Sequence, residues 1–391
     1  MKKNLLALLL GFGFALVLLA SLEIFFRINE TTHWIKRPVP PDIYAVHRDR
    51  DEALSQSIYD QLKNNEIYKW KPLISREEAK SIPKNLDPRE KGPLPCCMGR
   101  HNPVKGIQFE SRMMTFDDHR LVYSAHFTFD SHGRRITPRS SKSDYNVLMF
   151  GDSYTLGEGV HDDQSAPYLL GKMRPEAQVY NFGISGGGVN DVLYELQDAR
   201  KDRLSDIPKK KTIVLYTFMD HHLERLFARS TALMEKFQWI LTKPYYAKEN
   251  DQIVLKGFFD TDRKRTNALY KIWNSSAFLN FYEIPWPPRF SKEHFEFFAD
   301  VLKSIESTAK NDFGSDTEFY FVLYPGAADA FGPELRKTAE ERGLKVLDYT
   351  NLDMDKITAG NKSIPADRHP SPVTQFVFAW LLNRDLARPN H

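Results

Sequence analysis

The amino-acid sequence predicts an α/β protein built on a parallel β-sheet with helices on both faces. From Tyr145 onward, short apolar runs of strand length alternate with segments whose apolar residues recur at helical spacing, a pattern typical of βαβ units. The predicted strands are almost continuously apolar, as expected of strands buried on both faces. They read YNVLMFG, QVYNFG, KTIVLYTFMD, EFYFVLYPG and LKVLDY. The chain of 391 residues is long enough for one large α/β domain and further segments.

Helices are predicted between and after these strands. Their sequences are SAPYLLGKMRP, VNDVLYELQDARKDRL, SKEHFEFFADVLKSIESTAKNDF, GPELRKTAEERG and PSPVTQFVFAWLLNRDLA. In the third of these, apolar residues share one helical face, namely Phe295, Phe298, Leu302, Ile305 and Ala309. Residues 240–290 interrupt the alternation and are predicted to form a hairpin and a loop insertion.

Composition narrows the class of protein. With 54 Lys and Arg against 51 Asp and Glu, the net charge is only +3, which argues against nucleic-acid binding. The two cysteines, Cys96 and Cys97, are adjacent. Neighbouring cysteines can bond to each other only through a strained ring, and their spacing does not match a zinc site. Plain thiols are therefore expected, with a vicinal or an intermolecular disulfide as the alternative.

Residues 1–27 are predicted to be a membrane anchor. Lys2 and Lys3 precede an apolar run from Leu5 to Phe26 whose one charged residue is Glu23. As a helix this run would reach about 33 Å, against a hydrocarbon core of about 30 Å. A cleaved signal peptide is the alternative, but the run offers no suitable pair of small residues for cleavage. Cations flank both ends, so only the short leading tail favours export of the rest of the chain.

Two segments separate this anchor from the predicted α/β domain. Residues 28–110 are rich in proline and charge and are predicted to be a tether and wrapping arm, with short helices such as DEALSQSIYDQLKNN. Residues 111–140 place turn residues between β-branched or aromatic runs, which predicts a β-hairpin extension or small meander. The α/β domain is then predicted to occupy residues 145–388.

A serine stands on a tight turn at the end of the first predicted strand of this domain. Gly151, Asp152 and Ser153 directly follow the apolar run of that strand. All three residue types are common in turns, so a plain turn is one interpretation. However, ligands and nucleophiles of open α/β sheets lie at strand ends, which makes Ser153 a candidate nucleophile. Asp152 is predicted to have a supporting role, as a cap or a support of the turn.

Four spaced blocks then resemble the SGNH (GDSL-type) serine hydrolase superfamily. They are GDSYTLGEGV, YNFGISGGGVND, a third block with the sequence LYTFMDHHLER and, near the end of the chain, ADRHPSP. The preceding YSAHFTFDSHGRR resembles the hairpin before the nucleophile block in the membrane-anchored bacterial envelope branch of the family. The resemblance implies a three-layer α/β/α fold with Ser153 as nucleophile and His369 as base. It also implies that Asp367 orients His369, and that the N–H groups of Ser153 and Gly186 form the oxyanion hole. It implies neither a metal nor an organic cofactor.

Chemistry explains these residue types. A serine hydroxyl becomes a good nucleophile when an imidazole takes its proton, and a carboxylate holds that imidazole in the correct tautomer. Asp367 precedes His369 by two residues, where three is usual in the family, and Ala366 at that usual position cannot serve. Asp367 and His369 could hydrogen-bond to each other only on an irregular loop, because in a strand the two side chains would lie on one face and point in the same direction. Pro370 restricts His369 to extended conformations.

The third block departs from the family pattern. The family usually ends the strand of this block with Gly-x-Asn-Asp, and the asparagine side chain adds an oxyanion donor. This chain has Met219 and Asp220 at that place. Methionine cannot donate a hydrogen bond. His221 or His222 is the candidate replacement, and two surface histidines are the alternative. Asn190, with the Asp that follows it, looks like the missing pair but precedes the third strand, and we treat this as a coincidence.

The resemblance implies a membrane-anchored serine esterase that hydrolyses acyl or acetyl esters of an envelope carbohydrate or lipid. Its expected location is the cell inner membrane, with a single span and an extracytoplasmic or periplasmic domain. Its expected partners are the membrane and an acylated substrate. An O-acyltransferase that modifies an envelope polysaccharide is one alternative, and a non-catalytic glycan-binding scaffold on the same fold is another.

Overall fold

A computed structural model describes residues 2–32, 35, 49–81, 86–87, 105–115, 120–140, 142–197 and 201–387. Cys96 and Cys97 lie outside these residues, so the prediction made for them stays a prediction. The strands of the described part are β1 (Leu86–Asp87), β2 (Gln108–Thr115), β3 (Leu121–Thr128), β4 (Tyr145–Gly151), β5 (Ala177–Gly183), β6 (Thr212–Phe218), β7 (Pro244–Glu249), β8 (Gln252–Phe258), β9 (Glu318–Leu323) and β10 (Lys345–Asp348).

The helices of the described part surround these strands. They are α1 (Lys2–Thr32), α2 (Glu52–Leu62), α3 (Arg76–Ser81), α4 (Ser153–Leu156), α5 (Ala166–Met173), α6 (Val189–Gln197), α7 (Lys201–Leu204), α8 (His221–Phe227), α9 (Phe259–Asp262), α10 (Lys264–Asn274), α11 (Ala277–Phe281), α12 (Lys292–Phe313), α13 (Gly332–Glu341), α14 (Met354–Ile357) and α15 (Pro372–Leu386). Short 3₁₀ helices cover Glu66–Lys69, Asp162–Gln164, Ser230–Leu233 and Glu235–Thr242.

The central sheet has five parallel strands in the order β10-β9-β6-β4-β5. The strand of this sheet that comes first in the chain, β4, therefore has the second, β5, on one side and the third, β6, on the other. This is the doubly wound order in which ligands bind at the carboxyl ends of the strands, where the chain reverses direction across the sheet. The candidate site should lie between the ends of β4 and β6.

Alternating side chains of each central strand enter two different apolar cores. On β4, Leu148 and Phe150 pack with α6 and α12 in one core, whereas Val147 and Met149 pack with α5 and α15 in the other. Since each strand buries both faces, its sequence is continuously apolar rather than alternating. The predicted three-layer α/β/α fold with a central parallel sheet is confirmed.

The other predicted elements are found with some corrections. Strands β2 and β3 pair antiparallel, which confirms the predicted hairpin extension, and β7 and β8 form the predicted hairpin of the insertion. The rest of the insertion was predicted to be a loop but contains α9, α10 and α11. Its helices are short and are stabilised by contacts distant in sequence, so the local pattern did not reveal them. The division of the chain into anchor, arm, extension and domain remains a prediction.

The predicted arm contacts the sheet domain closely where the structure describes it. Helix α2 packs against α14, and its Ile58 and Leu62 are buried in the core beside α5 and α15. At its start, the Asp51 N–H donates to Asn351 O at 2.8 Å, and Ser55 Oγ accepts from Asp353 N at 2.9 Å. This part of residues 28–110 is therefore packed structure rather than an extended tether.

Gly183 ends β5 where the backbone of α4 passes closely. A Cβ at this position would lie 2.1 Å from Leu156 N and 2.6 Å from Leu156 Cα, and both are backbone atoms that cannot rotate away. We expect Gly183→Ala to lower the free energy of unfolding by about 1–3 kcal/mol, the usual cost of overpacking. Urea unfolding of the detergent-solubilised protein measures this. Gly332→Ala is the matched control, because its Cβ would meet no atom closer than 3.4 Å; equal stabilities of the two variants would contradict the prediction.

Candidate active site

Ser153 begins α4 directly after β4, at the carboxyl edge of the sheet. The Asp152 carboxylate accepts a hydrogen bond from Tyr154 N at 2.9 Å and so caps this one-turn helix. Ser153 is 7% exposed, so its hydroxyl lies in a recess rather than on an open surface. The turn explains Gly151 as well, because a Cβ there would lie 2.1 Å from Thr155 Oγ1.

His369 and Asp367 form a close pair on the loop before α15. His369 Nδ1 lies 2.6 Å from Asp367 Oδ2. The residues on either side of Asp367 have left-handed backbone angles, with φ of +66° at Ala366 and +71° at Arg368. These angles make the irregular loop that a spacing of two requires. The carboxylate is therefore placed to hold the imidazole with Nε2 directed away from Asp367.

The structure brings this pair next to the nucleophile turn without closing the last contact. The ring of His369 lies edge-on to that of Tyr154, the residue after Ser153, with centroids 5.8 Å apart. Both Ser153 and His369 are described, and no hydrogen bond joins them. In substrate-free sites such bonds are often long and shorten when substrate binds, so the arrangement is compatible with proton transfer between the two.

Two backbone N–H groups beside Ser153 are unused. Gly186 has a φ of +69°, and the turn around it is closed by the bond from Gly187 N to Ile184 O at 2.7 Å. Within the described part of the chain, neither Ser153 N nor Gly186 N donates a hydrogen bond. Preformed donors of this kind stabilise the oxyanion of acyl transfer.

The third block places its polar residues in structural contacts. The Asp220 carboxylate accepts from Ala330 N and Phe331 N, each at 2.9 Å. His222 is fully buried, with Nδ1 2.7 Å from Tyr216 Oη and Nε2 3.3 Å from Asp152 Oδ2. Both ring nitrogens of His222 therefore face neighbours in the core, an arrangement that favours His221 over His222 as the candidate oxyanion donor.

Of the two histidines, His221 remains the candidate donor. It is exposed at the start of α8 and lines a cavity that Tyr154 also lines. Asn190, set aside in the sequence as a coincidence, donates to Pro244 O at 3.0 Å and is buried away from solvent. Its side chain therefore supports the insertion rather than the reaction.

Asp152 is a buried ionic partner beneath the nucleophile. It receives a hydrogen bond from Arg225 Nη1 at 2.9 Å, and this guanidinium also donates to Gly187 O at 2.6 Å. Burial alone would raise the pKa of Asp152, but His222, Arg225 and the Tyr154 N–H together hold it well below its usual range. The carboxylate thus links the turn of Ser153 to the glycine turn.

Burial lowers the pKa of His222 even though Asp152 acts in the opposite direction. In the unfolded chain a histidine takes up a proton near pH 6.5, whereas the folded protein holds His222 neutral. The unfolded state then binds more protons, so stability falls as pH falls below about 6.5. We expect His222→Gln to reduce the decrease in the thermal midpoint between pH 7.5 and pH 5. His221→Gln is the control; an unchanged decrease in His222→Gln would contradict this prediction.

Glu158 is a site residue that the sequence analysis missed. It is 1% exposed, accepts a hydrogen bond from Ser185 Oγ at 2.8 Å and places Oε2 3.8 Å from His369 Nε2. The imidazole therefore has a carboxylate on each side. Burial raises the pKa of the nearby Tyr123 hydroxyl, and the charges of Glu158 and Asp367 raise it further. In the sequence, the one feature that marks Glu158 is its position between Gly157 and Gly159, which is typical of a turn.

A cavity of about 630 Å³ opens beside the site at the carboxyl ends of β6 and β9. Its wall includes Tyr154 and Arg368, which are neighbours of Ser153 and His369 in the chain, together with the candidate donor His221 and with Tyr324. Neither Ser153 nor His369 lines it. The cavity is therefore a compartment next to the predicted site residues, placed where part of a substrate could bind.

Fold and site together define a three-layer α/β protein with a serine, a histidine and an aspartate at the carboxyl edge of its parallel sheet. Solved structures with a similar fold include a member of the lipolytic G-D-S-L family from Veillonella parvula, with 12% identity over 63% of this chain and 100% of that chain at a TM-score of 0.36. A lipase/acylhydrolase from Enterococcus faecalis has 14% identity over 63% of this chain and 99% of that chain, with a TM-score of 0.32.

A third similar structure is the acetyl xylan esterase Est2A from Butyrivibrio proteoclasticus, with 11% identity over 64% of both chains and a TM-score of 0.35. So low a similarity concerns the fold alone. No protein-family model matches the chain, and no curated protein matches it.

Proposed function

We propose that this protein is a membrane-anchored serine esterase of the SGNH type that cleaves acyl or acetyl esters of an envelope carbohydrate or lipid. The observation that carries the proposal is the pair of His369 and Asp367, 2.6 Å apart, beside the turn of Ser153, where the described residues offer no acceptor to the N–H groups of Ser153 and Gly186. A scaffold without catalysis would have no need for an imidazole oriented by a carboxylate beside such a turn.

In the proposed reaction, Ser153 Oγ attacks the ester carbonyl carbon while His369 Nε2 takes the hydroxyl proton. The N–H groups of Ser153 and Gly186 bind the oxyanion of the tetrahedral intermediate. The intermediate collapses to an acyl-serine, and the imidazolium gives its proton to the departing alcohol. Water then attacks the acyl-serine while His369 takes a proton from the water. The second tetrahedral intermediate collapses, His369 gives this proton to Ser153 Oγ, and the acid is released. Asp367 stabilises the imidazolium in both steps.

The cavity next to the site favours a polar, bulky alcohol such as a sugar. Its wall combines the aromatic side chains of Tyr154 and Tyr324 with charged side chains of both signs, among them Asp353, Lys362 and Arg368. Aromatic rings supply an apolar face, and charged groups can hydrogen-bond hydroxyls. The same compartment supports the second candidate, an O-acyltransferase, because a sugar hydroxyl bound there could accept the acyl group in place of water.

The apolar helix α1 supports the anchoring. Its window Phe12–Asn29 has the length and composition of a membrane span, and 11% of that window is buried inside the protein. A signal sequence has the same features. In the proposed arrangement the helix is retained and the domain lies on the extracytoplasmic side.

Labelling with a serine-reactive fluorophosphonate tests the proposal. The detergent-solubilised protein is incubated with the probe, and the labelled peptide is identified by mass spectrometry. We expect a covalent adduct on Ser153 and none in Ser153→Ala. Incubation with p-nitrophenyl acetate, with and without an oligosaccharide, then separates hydrolysis from transfer by their products. A folded wild-type protein that is neither labelled nor active would overturn the enzyme proposal and favour the scaffold.

A further inference from the structure

The last turns of α1 pack on the insertion. Phe26 is buried, and its ring centroid lies 4.7 Å from that of Phe281 and 5.3 Å from that of Phe278 on α11. Earlier in the helix, large apolar side chains such as Phe12 and Leu19 are 64% and 61% exposed. Among the side chains of α1 that the structure describes, from Phe12 onward, those buried against the domain thus lie near the end of the helix.

Glu23, the acidic residue of the apolar run, is bound by the start of α11. Its carboxylate accepts from Ala277 N at 2.9 Å and from Ser276 Oγ at 2.8 Å. Arg27 lies 2.9 Å from this carboxylate and also donates to Ser275 O at 2.9 Å. These contacts satisfy a charge that would otherwise be costly next to lipid, and they hold α11 at the height of Glu23.

The position of the Glu23 contact along α1 indicates where α11 would lie relative to a bilayer. From Leu5 to Glu23 the helix rises about 27 Å, close to the hydrocarbon thickness of about 30 Å. If α1 crosses a bilayer, α11 and the end of α10 therefore lie at the membrane surface. Ser275, which binds Arg27, directly follows α10.

The outer face of α10 has the chemistry of such a surface. Leu269 and Ile272 are 66% and 70% exposed, and their spacing of three places them on one side of the helix. Lys264, Arg265 and Lys271 are also exposed, and α10 contains no acidic residue. Exposed aliphatic side chains flanked by cations are typical of helices that lie in the plane of an anionic membrane.

Aromatic side chains follow at the same end of the insertion. Trp286 is 48% exposed and packs against Trp273 of α10 with tilted rings, their centroids 4.7 Å apart. Tyr282 is 43% exposed and contacts Phe26 of α1, with centroids 5.6 Å apart. Tryptophan and tyrosine are the residues that membrane proteins place at the headgroup level.

We infer that the outer face of α10, with Trp286 and Tyr282, lies in the headgroup region of the leaflet at which α1 ends and binds anionic phospholipid there. The inference rests on the membrane anchoring within the proposed function. The domain would then be held in one orientation on the membrane rather than tethered by α1 alone.

Depth-dependent fluorescence tests this. Full-length protein carrying Cys96→Ser and Cys97→Ser is reconstituted in vesicles of phosphatidylcholine and phosphatidylglycerol. A single environment-sensitive fluorophore is attached in three separate variants: Ile272→Cys on the proposed surface, Leu16→Cys in the anchor, and Lys337→Cys on the exposed face of α13 as control. Lipids with nitroxides at the headgroup or in the acyl chain serve as quenchers.

We expect headgroup nitroxides to quench the label at position 272 severalfold more than the label at 337, and acyl-chain nitroxides to quench the label at 16. Equal, weak quenching at 272 and 337 with strong quenching at 16 would overturn the inference and leave the anchoring intact. Weak quenching at all three positions would overturn the anchoring as well. Hydrolysis of p-nitrophenyl acetate by the same samples reports the esterase proposal separately.

A charge series tests the lipid class. Replacing Lys264, Arg265 and Lys271 by glutamine in the Ile272→Cys variant should reduce its headgroup quenching, and so should vesicles of phosphatidylcholine alone. Electrostatic attraction to anionic lipid explains both effects. Quenching that is unchanged in both cases would overturn the assignment to anionic phospholipid.

Discussion

Ser153→Ala and His369→Ala should each lower kcat for p-nitrophenyl acetate by about 10⁴–10⁶, and the double variant should lose no more than either single one. The two side chains act as one unit, because the hydroxyl without its base and the base without its hydroxyl are equally unable to attack the ester. Asp367→Asn should cost less, since it disturbs the tautomer of His369 but leaves the base in place. Steady-state kinetics of the four variants measures this.

The control is the thermal midpoint of each variant. Ser153 is the first residue of α4, and Asp367 and His369 lie on the loop before α15, so the substitutions should shift the midpoint by only a few degrees. Wild-type activity in folded Ser153→Ala would remove the serine mechanism. Losses that multiply in the double variant would show that Ser153 and His369 act independently, contrary to the proposed proton transfer.

Arg135→Met should lower the free energy of unfolding by about 3–5 kcal/mol, the usual cost of breaking a buried ion pair. The guanidinium has no exposed surface and lies 3.8 Å from the centre of the Phe127 ring. All five of its N–H donors are used. The acceptors are Asp162 Oδ1 and the carbonyls of His126, Leu156, Gly157 and Val160.

These acceptors connect the hairpin extension to the loop that follows Ser153 and carries Glu158. Removing the guanidinium takes one donor from Asp162 and from each of the four carbonyls, so activity should fall together with stability. Arg139→Met is the matched control, because Arg139 is exposed on the same segment and should change stability by less than about 0.5 kcal/mol. Urea unfolding compares the two, and equal effects would show that Arg135 is not the structural link we describe.

Local patterns in the sequence were sufficient for the sheet and for the nucleophile turn. Strands buried on both faces read as apolar runs wherever they occur, and a turn such as Gly151 to Ser153 depends on the conformations that its own residues allow. The hairpin β2–β3 was predictable for the same reason, since its turn residues and strand residues are neighbours in the chain. The pairing of Asp367 with His369 was predicted by family resemblance, and the left-handed angles that make it possible are visible only in the structure.

Contacts between distant residues were decided by the tertiary structure. The sequence left His221 and His222 equivalent, but the fold buries His222 between Tyr216 and Asp152 and exposes His221 at the cavity. From the sequence alone, Glu158 is a carboxylate on a loop. In the fold its Oε2 lies 3.8 Å from Nε2 of His369, which is 211 positions further along the chain. A side chain's chemical type is thus set by the sequence alone, whereas its burial, its partners and hence its ionisation depend on which distant segments pack around it.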